Sequence, residues 1–315
     1  MIPNFVKERE LNEEGFDLYF AGSQNKLCDE YMLAHSANRL CSQLGEKKII
    51  QYWIQNKTEN SKLFIDSGAF TAYTKGDVID VDDYIDYINS ITQHLTIYAQ
   101  LDKIPGRFNQ PKSLQDIKEA PSLSWENYLY MRPRMKEPEK LVPIFHQGED
   151  YKWLVNMLEW VDENGNHIPY IGISPAVDMP GIEQFLDRSF SIISKSSNPN
   201  VKTHAFGMTR LSLLERYPYY SADSTSWLKS GSMGSIYTPW GTLYVSDRRD
   251  VDINCIYNQH GDALKKIEDY IGKFGFTVEE VRTEYVKRLL INIQYLLDWA
   301  SSYRFKGKRY SKTLF

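Results

Sequence analysis

The sequence predicts an α/β fold: a (β/α)8 TIM-type barrel with insertions, in a single domain. Three observations carry that expectation. Short apolar, β-rich runs alternate with longer segments of helical period from residue 17 into the last third of the chain, a pattern that implies a parallel sheet covered by helices. Seven or eight such runs are present, which is the number that closes a barrel. The chain of 315 residues has no low-complexity linker and no Gly/Ser-rich joint, so one barrel domain spanning 1–315 is the economical reading.

The elements follow in order. "DLYFAG" (17–22) is the first strand, ahead of a helix around 26–44. "KKIIQYWI" (47–54) reads as a second strand and "LFIDSG" (63–68) as a third. In "VDDYIDYINSITQ" (81–93), Val81, Tyr84, Ile85, Ile88 and Ile91 fall near one helical face, and the strand "LTIYAQLD" (95–102) comes next. "LVPIFHQG" (141–148), a helix to about 163, "IPYIGIS" (168–174), a helix near 181–194, "KTHAFG" (202–207), a short helix and "YYSAD" (219–223) continue the alternation. "GSMGSIYTPWGTLYVSD" (231–247) reads as a β-hairpin turning near Trp240 and Gly241. "TVEEVRTEYVKRLLINIQYLLDW" reads as one long outer helix, with a Thr277–Glu280 capping box and a stripe of Val281, Tyr285, Leu289, Ile293 and Leu296.

Composition narrows the function classes. Hydrophobic residues make up 42% and charged residues 25%, the profile of a globular chain with a substantial core. A net charge of −4 supplies no overall field toward a polyanion, so nucleic-acid contact would have to come from local patches. The tail 301–315 is one such patch, with Lys306, Lys308 and Arg309 interleaved with aromatics; a solvated basic terminus is its other reading. The cysteines Cys28, Cys41 and Cys255 are odd in number and widely spaced, which suits a reducing compartment. Cys255 and His260 have no C-x-x-C pair beside them, so no metal is assigned. No signal-peptide pattern opens the chain and no run of about 18 apolar residues occurs. A cytoplasmic protein without membrane contact is expected.

In a barrel the working groups gather at the C-terminal strand ends, which here read "DSGAF", "LDKIPG", "HQGED", "GISP", "FGMT" and "ADSTS". Each has a plain alternative. Asp66-Ser67-Gly68 is an ordinary turn, Asp102 can cap a helix or pair with Lys103, Gln147-Gly148 is a loop, and Asp223 can cap the helix that follows it. Their succession at one mouth is what suggests a site.

Taken together, "DSGAF" (66–70), "QLDKIP" (100–105), "FHQG" (145–148), "YIGIS" (170–174), "AFGMT" (205–209), "SADST" (221–225) and "TPWG" (238–241) resemble, in order, the motifs of the tRNA-guanine transglycosylase superfamily. "HAFGMTRLSLLERYPYYSADSTSW" and "FIDSGAF" are similar to its DpdA branch, whose members insert 7-deazaguanine bases into DNA. The likeness covers roughly residues 17 to 250. Two departures stand out: the family's C-x-C-x-x-C…H zinc site is missing, so no zinc subdomain is expected, and Ala69 replaces the second glycine of its Asp-Ser-Gly-Gly turn.

The resemblance implies roles. Asp223 would be the nucleophile that holds the sugar as a covalent ester, oriented by Ser224 and Thr225. Asp66 would be the general acid/base, its pKa raised by burial near another acid. Asp102 would accept from the two N–H donors of guanine's edge, and Gln147 or a backbone N–H near Gly172 would donate to the exocyclic oxygen. Phe70 and Phe206 would sandwich the base, with core packing as the other reading, and Ser67 would belong to the same pocket. A base must leave its stack to enter such a site. Trp240, Arg248, Arg249 and the tail residues Lys306, Lys308 and Arg309 are the candidate DNA contacts. The partners implied are DNA and a free 7-deazaguanine as co-substrate, with no cofactor. The other classes are the same chemistry on tRNA, a silent DNA-binding barrel, and an unrelated barrel glycosidase.

Overall fold

A computed structural model describes residues 16–22, 25–176, 179–208, 210–246 and 255–305. Its centre is a ring of parallel strands: β1 (Asp17–Ala21), β2 (Asn38–Ser42), β3 (Leu63–Asp66), β4 (Ile97–Ala99), β5 (Leu141–Val142), β6 (Ile144–His146), β7 (Tyr170–Ser174), β8 (Lys202–Ala205) and β9 (Ser221–Ser224). The order is β5-β4-β3-β2-β1-β9-β8-β7-β6. The two end strands are one strand interrupted at Pro143, which has no N–H to give the ladder. Leu141 and Val142 pair with β4, Ile144 to His146 pair with β7, and the Pro143 carbonyl still accepts from Gly172 N–H at 2.7 Å. Eight strands therefore close on themselves as a TIM-type barrel.

Alternation along the strands sorts the apolar residues into two layers. Tyr19, Leu40, Phe64, Ile97, Val142 and Tyr170 form the cluster inside the ring. Their neighbours Leu18, Phe20, Cys41, Ile65 and Ile171 belong to the larger core under the helices. Those helices are α1 (Lys26–Ala34), α2 (Lys47–Asn56), α3 (Ala69–Lys75), α4 (Val81–Ile91), α5 (Leu114–Met131), α6 (Lys152–Glu159), α7 (Ile182–Ile193), α8 (Leu211–Arg216), α9 (Ser226–Ser232), α10 (Gly261–Gly272), α11 (Val278–Thr283) and α12 (Tyr285–Ser301). The hairpin falls where expected, as β10 (Ser235–Thr238) and β11 (Gly241–Tyr244). Thr238 pairs with Gly241, leaving Pro239 and Trp240 as the turn. Hairpin, α10, α11 and α12 enclose a third apolar cluster around Ile236, Leu243, Ile267 and Val281.

Three expectations about the elements are corrected. Residues 38–42 are a strand rather than a helix end, and 47–54 lie in a helix rather than a strand. "NRLCS" reads as polar, yet Arg39 is fully buried because its guanidinium donates to Phe20 O at 2.6 Å and lies 3.9 Å from Asp29. In "KKIIQYWI" the buried residues are Ile50 and Trp53, three apart, which is helical spacing. The final helix is also broken. Its capping box is present on α11, but Glu284 turns extended at φ −103°, ψ 103° before α12 begins. The break leaves Tyr285 46% exposed instead of in the buried stripe.

Candidate active site at the barrel mouth

Asp66 is the last residue of β3 and shares the inward face with Phe64. The turn after it is held open for glycine: Gly68 has φ +82°, and a Cβ there would lie 2.6 Å from Leu44 and 2.8 Å from Ser42 Oγ. Gly68 N–H donates to Asp66 Oδ2 at 3.0 Å. Burial raises the Asp66 pKa to about 6 against that bond, and the negative charges of Asp102 and Asp223 raise it further. Ser67 is buried and its hydroxyl accepts from Ala69 N–H at 3.4 Å, so it shapes the start of α3.

Asp223 lies on β9, in register with Tyr19 of β1. It does not cap α9. Its Oδ1 accepts from Gly207 N–H at 2.8 Å and faces His204 Nε2 at 3.3 Å. Ser224 bonds Ser226 instead, through its hydroxyl and the Ser226 N–H. The expected support from Ser224 and Thr225 is therefore replaced by support from β8 and the turn after it. Trp227, fully buried one turn on, donates its indole N–H toward Ala21 O and Ser224 O at 3.2 and 3.1 Å and ties the ends of β1 and β9 together.

Asp102 follows β4. It neither caps a helix nor pairs with Lys103, among the described contacts: Oδ1 accepts from Gln100 Nε2 at 2.6 Å, and Oδ2 lies 3.5 Å from His146 Nε2. His146 ends β6, and its Nδ1 meets Glu149 Oε1 at 3.0 Å. Burial opposes charge on this imidazole, but Asp102 and Glu149 on its two sides outweigh it and raise the pKa to about 10. The mouth thus carries an acid–imidazolium–acid arrangement alongside Asp66 and Asp223.

Gln147 is committed elsewhere than expected. Its Nε2 donates to Pro180 O at 3.0 Å and its Oε1 accepts from Ala176 N–H at 3.1 Å, which clasps the loop after β7. Gly172 is also not a donor to the mouth, because its N–H is spent on Pro143 O. It is glycine for space: a Cβ there would lie 2.4 Å from the Phe206 ring. Phe206 is half-buried, lying over Gly172 with its ring 4.5 Å from His204 and 5.6 Å from Phe64 between centroids. Phe70 is not core: it is 67% exposed at the start of α3, with Tyr73 and Phe108 following it along an aromatic rim.

Of the candidate DNA contacts, Arg248, Arg249, Lys306, Lys308 and Arg309 lie outside the described residues. Trp240 is 43% exposed, stands edge-on to Tyr270 at 5.5 Å and carries Lys266 over its ring at 4.3 Å. It lines a groove of about 870 Å3 formed with residues of α1, α10 and α12, which none of the mouth residues enters. Cys255 is buried in the hairpin cluster, and among the described residues no three His, Cys, Asp or Glu side chains gather as metal ligands. No described helix is long and apolar enough to cross a membrane.

Sequence reasoning missed His146, Glu149, His204 and Ser221. A signal for two of them was present: His204 and Ser221 each stand two residues before a mouth residue, Phe206 and Asp223, and so share its face of the strand. No protein-family model matches the chain, and no curated protein matches it.

Proposed function

We propose that the protein is a DNA-guanine transglycosylase, which exchanges guanine in DNA for a free 7-deazaguanine base through a covalent Asp223–sugar ester. The observation that carries this reading is the meeting of three carboxylates at one barrel mouth, close enough for Asp102 and Asp223 to raise the Asp66 pKa. A carboxylic acid near pH 6 beside a carboxylate is the pairing base exchange needs.

The chemistry balances as follows. An oxygen of Asp223 attacks C1′ of the flipped nucleotide while the C1′–N9 bond breaks, its electron pair leaving on guanine. Protonated Asp66 gives its proton to that base. The entering 7-deazaguanine returns a proton to Asp66, its nitrogen attacks C1′, and the ester bond breaks to restore Asp223. Asp102 accepts from the base's adjacent N–H groups, and Phe206 and Phe70 offer flat faces to it. DNA rather than tRNA is favoured by the likeness of "FIDSGAF" and "RYPYYSADSTSW" to the DNA-modifying branch. Incubating the protein with guanine-containing DNA and a panel of 7-deazaguanines, followed by nucleoside mass spectrometry, tests the reading: incorporation of a panel member supports it, and none from the whole panel contradicts it.

A further inference from the structure

Behind Asp223 the barrel interior holds a line of polar groups that the chemistry above leaves unused. Tyr170 of β7, His204 of β8 and Ser221 of β9 are all buried on the inward face. The Tyr170 hydroxyl is hydrogen-bonded to Ser221 Oγ, which lies 2.6 Å from His204 Nδ1. His204 Nε2 lies 3.3 Å from Asp223 Oδ1, the oxygen that also accepts from Gly207 N–H at 2.8 Å. Aromatic rings stand edge-on around the imidazole, Phe206 at 4.5 Å, Phe64 at 4.8 Å and Tyr19 at 5.9 Å between centroids.

The order of donors follows from what each group can do. An ionised carboxylate only accepts, so Nε2 must carry the hydrogen, and in the neutral ring Nδ1 is then an acceptor. Ser221 O–H donates to Nδ1 and its oxygen accepts from Tyr170 O–H. Burial among the rings lowers the His204 pKa, against the pull of Asp223, which keeps the ring neutral. Two donors hold Oδ1, while Oδ2 carries no hydrogen bond among the described residues.

Resting on the transglycosylase reading, we propose that His204 is the positioning residue of the nucleophile: its Nε2–H, fixed by Ser221 and Tyr170, pins Oδ1 of Asp223 and leaves Oδ2 to bond C1′. No proton passes along the chain. Oδ2 forms its bond to C1′ as the C1′–N9 bond breaks, and Oδ1 becomes the ester carbonyl with both donors still on it. A neutral donor suits both forms, whereas an imidazolium would favour the free carboxylate and hold back the attack.

The test uses the full chain and begins without any activity. Nitrogen-15 NMR of the His204 ring is expected to show the proton on Nε2 and none on Nδ1 near neutral pH; a proton on Nδ1 overturns the proposal. Carbon-13 NMR then follows the Asp223 carboxyl: its resonance near neutral pH moves in His204→Phe and returns toward wild type in His204→Gln, whose amide can donate from nearly the same place. An unmoved carboxyl resonance in folded His204→Phe overturns the proposal. In the exchange assay His204→Phe lowers kcat about tenfold or more with little change in KM, as expected for loss of a donor to the reacting group, and His204→Gln recovers part of it. Should wild type exchange no base while both NMR results hold, the transglycosylase reading and the role of Oδ2 fall together, and the contact to Asp223 stands as structure. If His204→Phe does not fold, Ser221→Ala provides the second variant: it should redistribute the ring proton between the two nitrogens, and an unmoved proton contradicts the role given to Ser221.

Discussion

Two histidines face two aspartates across the same barrel mouth, and their surroundings drive them to opposite charge states. His204 is fully buried among Phe64, Phe206 and Tyr19, and that desolvation lowers its pKa below the ordinary value. His146 ends a strand with its side chain 37% exposed and has an acid on each ring nitrogen, which raises its pKa to about 10 although burial works against it. The β8–β9 side therefore offers Asp223 neutral donors and leaves its charge available, while the β4–β6 side ties Asp102 into an ionic network with Glu149. One mouth thus holds two Asp–His pairs in opposite charge states with the same pair of residue types, because neighbours rather than identity set each imidazole's proton.

The largest expected effect breaks the first side. Asp223→Asn should reduce exchange to background while keeping an acceptor toward Gly207 and His204, and Asp223→Ala should in addition lose about 1–3 kcal/mol of stability by stranding those donors. Exchange assays and chemical denaturation measure the two separately. A folded Asp223→Asn with normal turnover would remove the nucleophile from the account.

Asp66→Asn should come next, with exchange reduced at least a hundredfold, in the range of a lost general acid/base. It also carries a sign in stability. A carboxyl whose folded pKa is about 6, above its unfolded value of 3.8, stabilises the fold fully below pH 3.8 and loses that contribution as pH rises through 6. Thermal melts should show Asp66→Asn more stable relative to wild type at pH 7 than at pH 3.5. The same offset at both values contradicts the raised pKa.

Asp102→Asn turns one acceptor into a donor against the base's donor edge, and a mismatch of about 1–3 kcal/mol corresponds to roughly five- to 150-fold in kcat/KM. Steady-state kinetics with several bases measures it. Unchanged values for every base would make Asp102 a structural partner of Gln100 and His146 only.

His146→Gln should have the smallest effect and the clearest pH signature. A histidine raised to about 10 contributes stability that is complete below the unfolded pKa of 6.5 and is lost as pH rises through 10. The variant's deficit in thermal stability should thus be present at pH 6 and shrink toward pH 10. A deficit that grows with pH would reverse the assigned charge.

The parts legible in the sequence are those written in neighbouring residues. Strand ends such as "LFIDSG" and "YYSAD" announce themselves by an apolar run that stops at an acid, so the sequence alone sets Asp66, Asp102 and Asp223 at one mouth. The exchange of strand and helix between 38–42 and 47–54 was not legible. A buried Arg39 on β2 depends on Phe20 and Asp29, partners that the local pattern does not contain. The support of Asp223 was hidden for the same reason: Tyr170 and Ser221 meet across 51 positions and only because β7, β8 and β9 lie side by side. Gln147 shows the opposite failure, since its motif is visible but its amide is spent on the loop at Ala176 and Pro180.

The most direct test of the central claim is covalent capture: wild type and Asp223→Asn are each incubated with guanine-containing DNA and no acceptor base, quenched in denaturant, and digested for peptide mass spectrometry. The account predicts a deoxyribose-linked DNA adduct on the peptide carrying Asp223 in wild type, its loss when a 7-deazaguanine is added before the quench, and none in the variant. An adduct on another residue, or the absence of one from wild type that incorporates 7-deazaguanine normally, would contradict it.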